Sequence, residues 1–546
     1  MAGSNWFCKL LLVNGIVFLI AGCAEKPEST RADSSPRDNT MAKSDREDAG
    51  ADSVEMVVEP GVEKLRQKLE LRPPIHAEAM ASEAASDEEP VVAQPKKMAT
   101  RQMRSFAHRA APSNEEQMAV MSSAEVETDH PASQTTINVF YATDRKSKFG
   151  IATSDWVDVH FGALAALGFY LITFASVFIS KRKVFFGVLA FASLSIFLVL
   201  GQSATVQWQK HKRLAANGDA IYISEIRPSS TDGLLDYGTC EVTIPPDHKI
   251  GHVDSPSLFK LEFTENPEKH VVLHRVIRSD SVDDFYAELN DSLSKSETRQ
   301  GLIFVHGYNV SFDDAVKRTA QIAHDLEFEG APICYSWTSH GALADYTKDM
   351  ANADATVLAL QSFLEETVRR TGNSTIHLVA HSMGNRALLQ ALDRIAVGSA
   401  GDGSEMFGQL VMAAPDVSAV DFKNRFAASA KELAKSITLY ASSRDRALIA
   451  STEIHGHNRA GLAGDNLVVM DGVDTIDVSE IDTSLIGHSY YGDHPELIRD
   501  LRALVELAQP ASNRNWLTRI PFPGSPDYFR FAEHLRSADE TQPQRR

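Results

Sequence analysis

A short run in the C-terminal half of the chain has the residue types and spacing for covalent catalysis. Ala380-His381-Ser382-Met383-Gly384 follows the apolar stretch Ile376-His377-Leu378-Val379 and precedes Asn385-Arg386-Ala387-Leu388, which reads as the start of a helix. A serine on a sharp strand-to-helix turn stands clear of the backbone, where its oxygen can attack an acyl carbon, and small flanking residues let strand and helix approach each other. The pattern is G-x-S-x-G with Ala380 in place of the first glycine, so Ser382 is the expected nucleophile. Upstream, Leu302-Ile303-Phe304-Val305 runs into His306-Gly307-Tyr308-Asn309. A turn there can aim backbone N–H groups at the charge that develops on an attacked carbonyl oxygen. The N–H groups of Tyr308 and Met383 are the expected oxyanion hole, with His306 as a structural residue.

A serine needs a base, and the base needs an acid to orient it. His488, in Ile486-Gly487-His488-Ser489-Tyr490-Tyr491, follows the last strand region and completes the chain order serine, acid, histidine. Its rivals are His494, which precedes Pro495 at a helix start, and the pair His455 and His457, whose H-x-H spacing could also suit a metal. No carboxylate-rich motif supports that metal reading, so neither metal nor organic cofactor is expected. Two residues compete for the acid. Asp445 follows the second strand after the nucleophile strand, and Asp416, in Ala413-Ala414-Pro415-Asp416, follows the intervening one and would also serve as a helix N-cap.

These residues must be held by a sheet. Short apolar runs alternate with amphipathic helical stretches at Leu302 to Val305, Ile333 to Trp337, Ile376 to Ala380, Leu410 to Ala413, Ile437 to Ala441 and Leu467 to Met470, which predicts a mostly parallel sheet flanked by helices. Before them, Ala220 to Ile226, Cys240 to Ile244, Phe259 to Phe263 and Val271 to Ile277 read as strands, some antiparallel, and Val282 to Leu293 reads as a helix.

The rest of the chain concerns location. Residues 1–23 form a weakly basic start, an apolar run and small residues ending in Ile20-Ala21-Gly22-Cys23, the layout of an export signal with a lipobox-like end; Cys23 is the expected lipidation site. Residues 24–133 are rich in Ala, Glu, Ser, Asp, Met and Pro and nearly without apolar periodicity, as in a disordered tether. After a first strand region at 134–160, the apolar runs Phe161 to Ser180 and Val184 to Leu200 flank Lys181-Arg182-Lys183. Each run would cover about 26 to 30 Å as a helix, the thickness of bilayer hydrocarbon. An inserted two-helix transmembrane hairpin at 161–200 is therefore expected. The basic turn would face the cytoplasm, and the catalytic domain at 219–508 and a tail at 509–546 would face the periplasm or exterior. The net charge of -19 and the scattered basic residues argue against a nucleic-acid partner, and four cysteines give no disulfide framework.

The segments FYATDR, FVHGYNVSF, YSW, LVAHSMGN, AAPD, YASSRD and GHSYY, in that order, resemble an uncharacterised bacterial family of α/β-hydrolase-fold proteins. The resemblance implies that fold and a Ser-Asp-His triad, and it implies no substrate. The expectation is a membrane-anchored serine hydrolase acting on an acyl-containing small molecule or lipid; the alternative is a catalytically silent envelope scaffold on the same fold.

Overall fold

Apolar β-branched runs too short for helices become strands, and the computed structural model, which describes residues 134–227, 233–340, 345–398, 405–481 and 494–531, gathers most of them into one sheet. The chain begins with β1 (Thr135–Thr143) and β2 (Arg145–Phe149), followed by two long helices, α1 (Thr153–Ile179) and α2 (Lys183–Ala216). Next come β3 (Ala220–Ile226), β4 (Asp236–Ile244), β5 (Val272–Arg278) and α3 (Val282–Lys295). Alternation then sets in: β6 (Gln300–Val305), α4 (Phe312–Asp325), β7 (Ala331–Ser336), α5 (Tyr346–Ala355), α6 (Val357–Thr371), β8 (Thr375–His381), α7 (Gly384–Gly398) and β9 (Phe407–Ala413). It continues through α8 (Ala427–Leu433), β10 (Ala434–Ala441), α9 (Arg446–His455), β11 (Asp474–Asp477), α10 (Pro495–Val505), β12 (Leu517–Ile520) and β13 (Tyr528–Phe531).

The sheet has 11 strands in the order β12-β13-β11-β10-β9-β8-β6-β7-β1-β4-β5. Neighbours from β1 across to β13 are parallel, while β4, β5 and β12 add antiparallel edges. Strands covered on both faces must be apolar throughout, and β7 and β9 are buried at every position. One face packs on Phe285, Phe363 and Leu388 of α3, α6 and α7; the other packs on Val316 and Ala320 of α4 and on Leu497 and Leu501 of α10.

Two expected strands do not form. Phe259 to Phe263 lies instead around a single helical turn, Leu258–Lys260, closed by local backbone bonds from Lys260 and Glu262 to Ser257. Leu467 to Met470 is buried in part but irregular, because the chain turns back at Gly472 (φ 74°) and the strand that joins the sheet is β11. Buried apolar side chains drive both kinds of element, so the run alone did not distinguish them. At the other end, β12 and β13 lie beyond the expected domain end at 508, so the sheet continues into what reads as a tail. Residues 1–133, with the export signal, Cys23 and the tether, lie outside the described residues.

Helices α1 and α2 are long and apolar enough to cross a membrane by length and composition. They pack together through small and hydroxyl residues: Thr173 and Ser193 hydroxyls are 3.3 Å apart, and Gly162 faces Leu200. Phe161, Ile172, Phe178, Val184 and Phe191 stay exposed on their outer sides. Past Leu200, α2 continues into polar contacts with the sheet domain, where Arg213 donates to Glu265 at 2.8 Å and to the Leu273 carbonyl at 2.8 Å, and Lys210 pairs with Asp313.

The C-terminal strands are tied back by one buried carboxylate. Asp500 on α10 accepts from Tyr440 Oη (2.6 Å), Arg514 (2.6 Å) and Trp516 Nε1 (2.6 Å), and neither ion of the Asp500–Arg514 pair is exposed. Removing one partner of such a pair leaves an uncompensated charge in the core. Asp500→Ala should therefore cost about 3–5 kcal/mol in denaturant unfolding; a loss below about 1 kcal/mol would show that this network does not hold the C-terminal strands.

Candidate active site

The turn after β8 is forced by backbone contacts on three sides. Ser382 has φ 51°, the left-handed region that an L-residue enters at a cost of about 1 kcal/mol. It is held there because its N–H donates to the Ala413 carbonyl at 2.9 Å and its carbonyl accepts from the N–H groups of Asn385 (3.1 Å) and Asp416 (3.2 Å). The Asn385 side-chain amide, fully buried, lies within 3.2–3.3 Å of the carbonyls of Ala380, Ser382 and Ala413. Gly384 is a glycine for space: a Cβ there would sit 2.4 Å from the His306 carbonyl oxygen. Gly307 meets the elbow from the other side, where a Cβ would lie 2.7 Å from His381 Nδ1 and 3.0 Å from Ser382 Cβ. The two glycines let the turn after β6 and the turn after β8 nest backbone against backbone, so Tyr308 and Met383 belong to adjoining turns.

His306 lies under this junction, stacked on Trp337 with ring centres 5.1 Å apart, and its carbonyl accepts from Trp337 Nε1 at 2.7 Å. Burial first, then the neighbouring Arg145 cation, push its pKa down to about 3, which leaves it neutral and structural. The next residues are clamped as well. Asn309, at φ 60°, donates its N–H to Asp349 Oδ2 (3.2 Å), and Val310 donates to Ser339 Oγ (3.1 Å). Asp349, buried on α5, also accepts from Ser339 Oγ (2.5 Å) and the His340 N–H (2.8 Å). Beneath them all is Arg145, the last residue of FYATDR: Nε donates to Ser336 Oγ (3.0 Å), one terminal nitrogen to the Ser339 carbonyl (2.9 Å) and the other to the Val310 carbonyl (2.8 Å).

The two aspartates differ in what surrounds them. Asp416 accepts from Tyr346 Oη (2.7 Å) on one oxygen and from Ser451 Oγ (2.6 Å) on the other, and the Arg459 guanidinium, whose Nε donates to Ser451 Oγ (2.8 Å), forms an ion pair with it at 3.2 Å. Asp445 is the N-cap of α9, one oxygen taking the N–H groups of Ala447 (3.1 Å) and Leu448 (3.0 Å). It follows β10, whose Tyr440 is level with Ala413 on β9, itself level with His381 on β8. Serine and both aspartates thus stand past the carboxyl ends of three adjacent parallel strands, where ligands bind in open α/β sheets.

Residues 281–506 match an alpha/beta hydrolase family of unknown function (DUF900). This span is an alpha/beta hydrolase domain. None of the proteins with curated descriptions matches the chain. A solved structure, the phospholipase PlaB from Legionella pneumophila in complex with thio-NAD, is 16% identical over 35% of this chain, with a TM-score of 0.19. The chain covers 41% of that structure's length.

Among the histidines of the hydrolase domain, His488 lies outside the described residues. His494 caps α10 with Nδ1 2.6 Å from Glu496 Oε2. His455 packs edge-on to Tyr346, with its Nδ1 2.8 Å from the Ser451 carbonyl oxygen, and its ring centre is 6.4 Å from that of His457. No cluster of three or more metal-binding side chains occurs among the described residues. Asp349, Tyr346, Ser451 and Arg459 were not legible as site residues in the sequence, since each acts through a partner distant in the chain. Arg145 was visible only as part of a motif.

Lysine at position 145 would keep the charge but cannot reach three acceptors in a fixed fork. Arg145→Lys should cost about 2–4 kcal/mol in chemical unfolding, the penalty for leaving buried acceptors unmet, and should raise hydrogen exchange at Val310 and neighbouring amides. Stability and exchange at the wild-type level would remove Arg145 from this role.

Proposed function

We propose that this chain is a membrane-anchored serine hydrolase that cleaves esters or related acyl bonds through Ser382, His488 and Asp445. The observation that carries the reading is the left-handed elbow at Ser382, nested against the His306-Gly307-Tyr308 turn at the carboxyl edge of the sheet. In this mechanism His488 accepts the Ser382 hydroxyl proton as Oγ attacks the acyl carbon. The oxyanion is held by the N–H groups of Met383 and Tyr308. Collapse breaks the bond to the leaving alcohol, which takes the proton from His488; water then repeats the sequence, releasing the acid and restoring Ser382. Asp445 orients His488 and stabilises its charged form. The engagement of Asp416 favours Asp445 for this role, because a carboxylate that already accepts from tyrosine and serine and pairs with the Arg459 cation is a poor partner for an imidazole.

For the anchor, the support is the length and apolar composition of α1 and α2, the basic turn between them and the export-signal layout at the N-terminus. In this reading the catalytic domain lies on the outer face of the membrane in which the helices sit, close to acyl lipids.

A fluorophosphonate probe should label the wild-type protein and not Ser382→Ala, and hydrolysis of a nitrophenyl acylate should vanish in that variant with folding unchanged. His488→Ala should be nearly as damaging, since triad members act as a unit, and Asp445→Asn should cost activity heavily while Asp416→Asn mainly costs stability. Labelling that survives in Ser382→Ala would defeat the mechanism and leave the scaffold reading. For the anchor, Cys23→Ser should stay in the membrane fraction after carbonate washing, because a spanning helix pair holds far more firmly than an acyl chain. Release of that variant into the soluble fraction would defeat the spanning assignment.

A further inference from the structure

The loop between β4 and β5 carries apolar side chains that the fold does not use. Leu261 is 74% exposed and Phe263 is 44% exposed, with exposed Lys260 beside them. Leu261 also has φ 54°, a conformation that glycine or asparagine adopts without strain and leucine rarely does, so the local backbone gives no reason for a leucine there.

This loop is fixed to one place on α2. The Gln202 side-chain amide donates to the carbonyls of Glu262 (2.8 Å) and Pro256 (3.3 Å), bracketing the turn. Within the turn, Glu262 Oε2 accepts from the Ser257 N–H (3.1 Å) and lies 3.2 Å from His270 Nε2, and the adjoining Glu265 accepts from Arg213 of α2 (2.8 Å). Gln202 follows the apolar run that ends at Leu200, and at 1.5 Å per residue it lies about 3 Å beyond it. The headgroup layer is roughly 5–7 Å deep on each side of the hydrocarbon. With α2 spanning the bilayer as proposed above, a turn bonded to Gln202 would lie at headgroup depth.

We infer that the turn Leu258–Phe263 is a third membrane contact, a foot whose Leu261 and Phe263 enter the headgroup layer of the leaflet facing the catalytic domain. This rests on α1 and α2 spanning the bilayer, as proposed above. Continuity with the spanning surface selects the occupant: the bilayer already surrounds α2 at the level of Gln202, and Lys260 suits its anionic phosphates. With two spanning helices and the foot, the domain touches the membrane at three places. It then has one fixed tilt, with the same edge of the sheet always presented to the lipid.

Site-directed spin labelling tests this in the full chain reconstituted into phosphatidylglycerol-containing nanodiscs, with Cys8 and Cys23 changed to serine; Cys240 and Cys334 are buried. Labels would be placed by Leu261→Cys, by Ile172→Cys on the exposed side of α1, and by Leu507→Cys, an exposed position past α10. The Leu261 label should show a ratio of oxygen to water-soluble nickel collisions several-fold above that of the Leu507 label and below that of the Ile172 label. Phe263→Cys should give the same result, and it replaces Leu261→Cys should that variant fail to fold. A foot label as water-exposed as Leu507, with Ile172 deep, overturns the foot and leaves the spanning helices intact. An Ile172 label as water-exposed as Leu507 overturns the spanning assignment, and the foot with it.

Discussion

A guanidinium with no access to water needs acceptors around it, and Arg145 finds two backbone carbonyls and a serine hydroxyl beside the turns that surround the candidate nucleophile. Burial pulls its pKa down to about 10, with Asp144 and Asp349 opposing the shift, so it remains a cation. Its fork joins Ser336 at the end of β7, Ser339 in the turn after it and Val310 in the turn after β6, while Thr143, the last residue of β1, donates to the Ser336 carbonyl at 2.6 Å. Three strand ends are thereby one body. Because Val310 lies next to Asn309, whose N–H is fixed by Asp349, the Gly307-Tyr308 turn has little freedom to move away from Ser382. Backbone donors act well on a developing charge only when they are held before it appears.

The same residue explains where an insertion can be tolerated. Arg145 must sit just past the end of β1, at the start of β2, so β1 must occupy its place beside β7, and whatever follows has to leave the sheet without pulling on it. The chain departs along β2 and returns along β3, and these two form a separate antiparallel ladder, with Phe149 opposite Ala220 and Lys148 opposite Ile221. The helices α1 and α2 emerge from that ladder. Their length beyond the ladder puts no strain on the sheet, and ion pairs from α2 to Glu265 and Asp313 set their direction relative to it.

The sequence was legible wherever a local pattern and the tertiary context demanded the same residue. The elbow could be read because its glycine, its serine and its strand are contiguous, and the sheet because parallel strands buried on both faces are runs of apolar residues. Element type failed where burial came without regular backbone pairing, as at Leu467 to Met470, whose side chains fill space while Gly472 turns the chain. The left-handed Leu261 gave no sign of itself, since only glycine and asparagine advertise that conformation. Long-range clamps were illegible for another reason. Asp349 serves Asn309, Ser339 and His340 from a helix whose sequence, Tyr346-Thr-Lys-Asp-Met, has no motif that distinguishes it from any amphipathic segment.

The choice between Asp445 and Asp416 shows how sequence order and hydrogen-bond supply differ as arguments. By order alone both aspartates follow the nucleophile strand and both precede the histidine. By supply they separate. Tyr346 and Ser451 spend their hydroxyl protons on Asp416, and Arg459 adds a cation within 3.2 Å; Tyr346 Oη, also 3.0 Å from Ser451 Oγ, links α5 to α9 through this carboxylate. Asp416 is thus a junction that holds α5, and with it Asp349, against the loop after β9. The backbone N–H of the same residue reaches the Ser382 carbonyl. Asp445 engages α9 through one oxygen, which accepts the N–H groups that a helix leaves unmet at its start. Two carboxylates one strand apart therefore differ in what they hold: Asp416 fixes the frame around the serine, and Asp445 fixes the start of α9.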